Sequence, residues 1–322
     1  MSELHKFIFE GLPVRGAVVV LDDAWQDMLS KRSEAGKFPQ PVQNLLGEMA
    51  AAAVLMQANI KFNGAVVLQI QGDGPLKIAV AEVQPDFAVR ATASLHGEVS
   101  EQDQFSDMVN VNNAGRCAIT LDPKDRLPGQ QPYQGVVPLY DDSGGKINQL
   151  SEVLQHYMLQ SEQLDTCLVL AANDTRAAGL LIQRLPLAGE GNLGATSESN
   201  EDGIGKSDDY NRIATLASSL KTEELLTLGV EDLLHRLFWE EPIARFIPPQ
   251  GVDKPRFQCS CSRERVSGML CSLGADEVDS IIAERGDVEV GCEFCGAMYR
   301  FDPVDSAQLF APSSATPPDV LQ

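Results

Sequence analysis

The spacing of apolar residues between positions 1 and 186 predicts two helices among many strands. The run 42–60 places apolar side chains three and four residues apart after Pro41, which predicts a mostly buried helix. The same spacing predicts a second helix over 147–158. Alternating or continuous apolar runs predict strands at 6–10, 15–21, 64–70, 76–83, 87–93, 116–121, 136–140, 166–171 and 179–185.

Short turns between consecutive strands indicate the fold class. The segment 72–75, Gly-Asp-Gly-Pro, separates two predicted strands as a hairpin turn would. Strands that follow one another in this way favour antiparallel pairing over a parallel arrangement with helical crossovers. We therefore predict an α+β protein whose N-terminal domain, 1–186, consists of largely antiparallel sheets with packed helices.

The next segment changes from a polar loop to amphipathic helices. Residues 187–208 are rich in Gly, Ser and acidic side chains, which predicts a flexible acidic loop. Residues 209–250 return to helical spacing, and 187–253 carry 13 acidic and 5 basic residues. Short acidic helices need a surface on which to pack, so we predict a metastable helical linker. Its apolar positions are Ile213, Leu216, Ala217, Leu220, Leu225, Leu226, Leu228, Leu233, Leu234, Leu237, Phe238 and Trp239.

The predicted C-terminal domain, 251–310, is small. Ser262 is expected to cap one helix, and Asp276 a second helix that stops at Gly286. The run 296–301 has the pattern of a strand. Residues 311–322 are rich in Pro and Ser, which predicts a disordered tail.

Four of the seven cysteines form two close pairs in this domain. Cys259 and Cys261 have one residue between them, and Cys292 and Cys295 have two. Two such pairs predict a closed tetrahedral Cys₄ site that binds one Zn²⁺ per chain while the thiols are reduced. A closed shell leaves no position for water or substrate, so we expect no metal-dependent hydrolysis. A purely structural zinc ion is the competing interpretation.

The size of the domain favours a sensor over a purely structural site. A segment of about 50 residues cannot bury a large core, so its fold should depend on the metal. Each cysteine pair can close on itself as a local disulfide, and a disulfide does not ligate zinc. Oxidation, metal loss and unfolding are therefore expected to be one coupled event.

Charge and hydropathy exclude several classes of partner. The net charge of −21 repels phosphate backbones, so we expect no nucleic-acid partner. No apolar run reaches about 18 residues, so we expect no membrane partner. The first residues lack the basic-then-apolar layout of a signal peptide. These features predict a cytoplasmic location, where thiols are kept reduced.

The cysteine segments 259–265 and 292–296, together with 277–281 between them, resemble the heat shock protein 33 family. The segments 45–49, 71–76, 133–137, 161–164 and 221–226 are also similar to motifs of that family. The resemblance covers nearly the whole chain. The loop 187–208 is longer than family members need.

The resemblance implies a redox-regulated holdase chaperone, not an enzyme, that binds unfolding proteins and prevents their aggregation under oxidative stress. It implies a reduced, zinc-bound, inactive monomer and an oxidised, active homodimer. Oxidation would form the disulfides Cys259–Cys261 and Cys292–Cys295, release zinc, and unfold the C-terminal domain and the linker. Domain 1–186 would then bind clients and dimerise.

Two other classes have less support. A nucleic-acid-binding zinc ribbon would need a basic face, but acidic residues outnumber the arginines near the cysteines. A thiol oxidoreductase would place Cys292 and Cys295 at the start of a helix, whereas a strand pattern follows them.

The remaining cysteines and the histidines carry no clear chemistry. Cys117 and Cys167 lie in apolar runs and are predicted to be buried and inert. Cys271 lies on the helix after the first pair, where an ordinary role is favoured over the alternative of an exposed, reactive thiol. His5, His96, His156 and His235 show no metal-binding or triad spacing.

Overall fold

The computed structural model describes residues 1–33, 36–126, 129–186 and 207–310. The chain divides into two compact units, the first spanning Met1–Gln258 and the second beginning at Cys259. The predicted tail 311–322 lies outside the described residues, as does the predicted acidic loop except for its last two positions, Ser207 and Asp208.

The first unit contains eleven strands and seven α-helices within the described ranges. In chain order they are β1 (Glu3–Phe9), β2 (Val14–Leu21), α1 (Asp23–Ser33), α2 (Gln40–Asn59), β3 (Gly64–Gln71), β4 (Leu76–Val83), β5 (Ala88–Leu95), α3 (Phe105–Val109), β6 (Arg116–Pro123), β7 (Tyr133–Pro138), α4 (Leu150–Glu162), β8 (Thr166–Ala172), β9 (Ala177–Arg184), α5 (Asp208–Ser218), α6 (Thr222–Thr227), α7 (Val230–Phe238), β10 (Ile243–Arg245) and β11 (Arg256–Phe257).

The strands form two sheets. One has the order β10-β1-β2-β9-β8, and its neighbouring strands are all antiparallel. The other has the order β11-β5-β4-β3-β6-β7, and β11 is the strand that runs parallel to its neighbour. The prediction of an α+β fold with largely antiparallel sheets is confirmed.

Helix α2 packs against strands of both sheets and lies in the main core of the unit. Its residues are buried on every side, including the run of four alanines 50–53. Pro41 lies in the first turn, where a missing N–H breaks no helical hydrogen bond. The predicted buried helix is therefore confirmed, with ends shifted by one or two residues.

Strand β2 has a core on each of its faces. Ala17, Val19 and Leu21 point into the main core with α2. Val18 and Val20 point the other way, into a second cluster that also contains apolar residues of α5, α6 and α7. Helices α5–α7, which we call the linker helices, therefore cover the outer face of the five-stranded sheet.

Most of the predicted apolar positions of the linker helices are buried on this sheet. They include Ile213, Ala217, Leu220, Leu225, Leu233, Leu234, Leu237 and Phe238. Trp239 is an exception, because it is 69% exposed immediately after α7 ends. Its assignment to the packed face was wrong, since the helix has turned that position away from the sheet.

The second unit contains α8 (Arg263–Leu273), α9 (Ala275–Arg285), β12 (Val288–Gly291), β13 (Met298–Phe301) and α10 (Pro303–Leu309). Strands β12 and β13 pair antiparallel. Gly286 ends α9 with a positive φ of 92°, as expected. The prediction for Asp276 was wrong: Gly274 is the N-cap, and Asp276 lies in the first turn. None of the helices in the described ranges combines the length and apolar character needed to cross a membrane.

Candidate metal centre

The first cysteine pair lies in the short segment that precedes α8. Cys259 and Cys261 come directly before Ser262, whose hydroxyl accepts a hydrogen bond from the backbone N–H of Arg265 at 3.3 Å. This contact confirms Ser262 as the N-cap of α8. The cap fixes where the helix begins and therefore holds the pair just outside its N-terminus.

The second pair lies in the tight turn between β12 and β13. The backbone N–H of Gly296 donates to the carbonyl of Cys292 at 2.8 Å, and the N–H of Cys292 donates to Ala297 at 2.9 Å. Gly296 has a φ of 72°, which glycine adopts without steric cost. These bonds close a knuckle that brings Cys292 and Cys295 to the same side of the turn.

The fold brings all four sulfurs together. Their ligand atoms lie within 4.8 Å of one another. Cys259 Sγ is 3.6 Å from Cys292 Sγ, and Cys261 Sγ is 3.4 Å from Cys295 Sγ. In a tetrahedral zinc site with Zn–S bonds of about 2.3 Å, neighbouring sulfurs are about 3.8 Å apart. The four cysteines therefore can hold a metal ion, and their chemistry and spacing fit Zn²⁺.

Burial and hydrogen bonds shape the electrostatics of the cluster. Burial raises the pKa of the Cys295 thiol, and a hydrogen bond from the backbone of Ala297 opposes this shift. The hydroxyl of Tyr299 donates to Cys261 Sγ at 3.1 Å. This hydrogen bond raises the pKa of Tyr299 to about 12, and burial of the side chain adds a smaller increase. Tyr299 therefore remains a neutral donor at physiological pH.

The apolar core around the cluster is small. Within the described residues it consists of four buried side chains, with seven partly buried residues packed against them. The four are Leu270, Val278, Val288 and Phe301. Four buried side chains are a small apolar core for a unit of about 50 residues, so the fold needs a further source of stability.

Arg263 connects several segments of the second unit. Its guanidinium donates to the carbonyl of Arg300 at 2.7 Å and pairs with Asp305 at 2.7 Å. It also lies 4.2 Å from the centre of the Phe301 ring. The start of α8 is therefore joined to β13 and α10 two residues after Cys261. The sequence analysis did not single out Arg263 for this contact. The feature of the sequence that could have indicated it is the position of Arg263 two residues after Cys261.

The other cysteines lie outside the cluster. Cys117 and Cys167 are buried, as predicted, and burial raises the pKa of Cys117 to about 12. Cys271 is exposed on α8, with its sulfur 3.8 Å from the carbonyl of Leu309. Within the described ranges, no second group of three or more Cys, His, Asp or Glu residues is arranged to hold a metal.

Fold and site together define an α+β protein with a four-thiol candidate metal centre in a separate small unit. The family model described as Hsp33 protein matches residues 2–302. The 33 kDa chaperonin of Chromobacterium violaceum is 45% identical over 96% of this chain and 94% of its own length. The 33 kDa chaperonin of Methylobacillus flagellatus is 43% identical over 98% and 97% of the two chains.

A solved structure has the same overall fold. The 33 kDa chaperonin of Thermotoga maritima, a heat shock protein 33 homolog, superposes with a TM-score of 0.69. The two sequences are 19% identical, and the superposition covers 95% of this chain and 97% of the Thermotoga maritima chain. The chain belongs to the Hsp33 family. Its relatives are named chaperonins, so the protein is a chaperone and not an enzyme, and client proteins are its partners.

Proposed function

We propose that the protein is a redox-regulated holdase that binds unfolding proteins only after its four clustered cysteines have been oxidised. The observation that carries the proposal is the position of these cysteines in a unit with four buried apolar side chains. Such a core needs cross-links from a metal in order to stay folded. Loss of those cross-links then becomes a conformational signal.

We assign Cys259, Cys261, Cys292 and Cys295 as ligands of one Zn²⁺ in the reduced form. Bound zinc would supply four bonds that join the segment before α8 to the knuckle between β12 and β13. The ligands must be deprotonated, so the metal offsets the burial that raises the pKa of Cys295.

Oxidation acts on the thiolates themselves. One sulfur attacks peroxide, an S–O bond forms, the O–O bond breaks, and the departing hydroxide becomes water on protonation. The other thiolate of the pair then attacks the resulting sulfenic acid, an S–S bond forms, and hydroxide leaves. Each cysteine pair thus passes two electrons to one peroxide. Both sulfurs of the pair are then in a disulfide and no longer bind zinc.

We assign the pairing Cys259–Cys261 and Cys292–Cys295. The four sulfurs are all near one another while the unit is folded. As it unfolds, the entropic cost of closing a loop grows with loop length, so neighbours in sequence remain the favoured partners. Peptide mapping of the oxidised protein tests this assignment, and a Cys259–Cys292 bond would contradict it.

The linker helices provide the surface that the switch would expose. Their apolar residues pack on Phe7, Phe9, Val14 and other side chains of the five-stranded sheet. β11 ends at Phe257, so one residue, Gln258, separates the first unit's last strand from Cys259. Unfolding from Cys259 onward would remove the ordered chain that follows the linker helices. This would favour release of the linker helices from the sheet.

Domain 1–186 would then bind clients and form a homodimer in the cytoplasm, whereas the reduced protein is a monomer.

The test compares reduced and peroxide-treated protein. Zinc release is followed with a colorimetric chelator, and client protection by light scattering of a heat-unfolding protein. We expect release of about one zinc per chain and suppression of aggregation only after oxidation. Dimer formation is measured by sedimentation in the same samples.

Two single substitutions serve as a matched pair. Cys292→Ser removes a proposed ligand and should abolish tight zinc binding. Cys271→Ser removes an exposed thiol outside the cluster and should leave the response unchanged. Equal activity of the reduced and oxidised wild type, or a wild-type response of Cys292→Ser, would refute the proposal.

A further inference from the structure

The hydroxyl of Tyr299 is held against one sulfur of the cluster. Tyr299 lies on β13 opposite Val290, and its side chain packs against the small core that contains Phe301 two residues further along. Met298 and Arg300 alternate with Tyr299 and Phe301 along the strand, and their side chains are exposed. The strand therefore directs the Tyr299 ring inward and places its hydroxyl 3.1 Å from Cys261 Sγ.

We propose that Tyr299 is a positioning residue that protects Cys261: its O–H donates a hydrogen bond to this sulfur and slows its attack on oxidants. The inference rests on the proposed redox function and deepens it. Tyr299 would set how fast the first pair is oxidised, because Cys261 contributes one of the two sulfurs of that disulfide, either by attacking the oxidant or by attacking a sulfenic acid on Cys259.

The physical reason is the charge on a thiolate. A donated hydrogen bond draws electron density away from the sulfur and must be lost or weakened when the sulfur uses a lone pair to attack peroxide. In that attack the S–O bond forms, the O–O bond breaks, and hydroxide leaves as water after protonation. Residues that contact the ligands of a metal site commonly tune ligand reactivity and metal affinity. An ordinary hydrogen bond corresponds to a change of about threefold to tenfold in rate.

Placement on a strand supports a specific role for the hydroxyl. The ring packs against the small core and its backbone is held by the β12–β13 register, and together these place the hydroxyl beside Cys261 Sγ. Tyr299→Phe keeps the ring and removes the oxygen. A purely structural role of this side chain would be preserved in that variant, whereas protection of the sulfur would be lost.

The direct test measures alkylation of the reduced, zinc-loaded protein by iodoacetamide, resolved for each cysteine by mass spectrometry. In Tyr299→Phe we expect Cys261 to react about threefold to tenfold faster, with a smaller change at Cys292. Tyr140→Phe, which removes a hydroxyl in the first unit, should leave all rates unchanged. An unchanged Cys261 rate, or an equal increase at all four cysteines, would overturn the inference.

A second variant changes the donor in the opposite direction. Site-specific 3-fluorotyrosine at position 299 is a more acidic phenol and therefore a stronger donor at a pH where it is still protonated. Cys261 should then react more slowly than in the wild type. A slower reaction in Tyr299→Phe, or a faster one with fluorotyrosine, would contradict protection, and the fluorotyrosine protein tests the idea even if the phenylalanine variant fails to fold.

Peroxide-driven zinc release separates this inference from the proposed function. If the wild type releases zinc on oxidation and Tyr299→Phe releases it at the same rate, only the role of Tyr299 is refuted. If the wild type binds no zinc or shows no oxidation-dependent client protection, the proposed function fails. In that case the same alkylation measurement, made on the reduced protein without zinc, decides whether Tyr299 protects Cys261.

Discussion

Glu48 is an acidic side chain in the middle of the buried helix α2. Burial raises its pKa from 4.5 to about 8. Glu101 and Asp103 line the same cleft, so the other charged side chains that line it are also acidic. The folded protein therefore holds a proton on Glu48 between about pH 4.5 and 8, whereas the unfolded chain releases it.

We predict that this residue makes the stability of the first unit fall as pH rises. The folded-state pKa lies above the unfolded one, so the stabilisation is fully present below about pH 4.5 and is lost as pH rises through about 8. The slope is at most about 1.4 kcal/mol per pH unit. Urea unfolding of wild type and Glu48→Gln at pH 5 and pH 8 measures the effect.

The comparison between the two proteins isolates Glu48 from the other titrating groups. Glu48→Gln should gain stability relative to the wild type between pH 5 and 8, because glutamine does not ionise. A constant difference in the free energy of unfolding across this range would contradict the prediction.

At the scale of elements, the linker helices depend on the sheet beneath them. Helix α7 has nine residues, too few to be stable alone in water. Its residues Leu233, Leu234, Leu237 and Phe238 are buried against the sheet, and the Phe238 ring lies 5.1 Å from the Phe9 ring in an edge-to-face contact. Tertiary packing, more than helix propensity, therefore keeps α7 folded.

We predict that Leu237→Ala loosens the linker. Leu237 is 3% exposed, and replacing a buried leucine with alanine costs roughly 2–5 kcal/mol. The reduced protein should bind more of a hydrophobic dye and should protect a client partly without oxidant. Light scattering and dye fluorescence measure both effects.

Trp239→Ala is the matched control. It removes a larger side chain from the same region, but this side chain is 69% exposed. It should change the stability by less than about 0.5 kcal/mol. A linker that is equally stable in the Leu237 and Trp239 variants would show that burial on the sheet does not hold α7.

At the scale of the molecule, the two units differ in what keeps them folded. The first unit has two sheets, a buried central helix and a second core beneath the linker helices. The second unit has a two-stranded sheet and four buried apolar side chains. Metal removal should therefore affect the two units very differently.

We predict that chelation of the metal from the reduced protein unfolds the second unit and leaves both sheets of the first intact. Hydrogen exchange should become fast from Cys259 onward, while the amides of β2 and β9 stay protected. Adding zinc back should restore the slow exchange. Continued protection of α8 and β13 in the metal-free protein would contradict the prediction.

The sequence alone was sufficient to predict most of the long elements. Helix α2 and strands such as β3, β4 and β9 have strong apolar periodicity, because their side chains repeat against a core. The shortest strands, β10 and β11, were missed. Two or three residues are too few to show a period, and their pairing partners lie far away in sequence.

The sequence by itself determined the cysteine spacing, the acidic linker pattern and the fold class. Only the tertiary structure decided that the four sulfurs meet within 4.8 Å and that Tyr299 donates to Cys261. The cysteine pairs are conspicuous because their ligands are neighbours in the chain. Tyr299 lies 38 positions from Cys261, and contacts over such distances depend on strand register and helix packing, which no local pattern records.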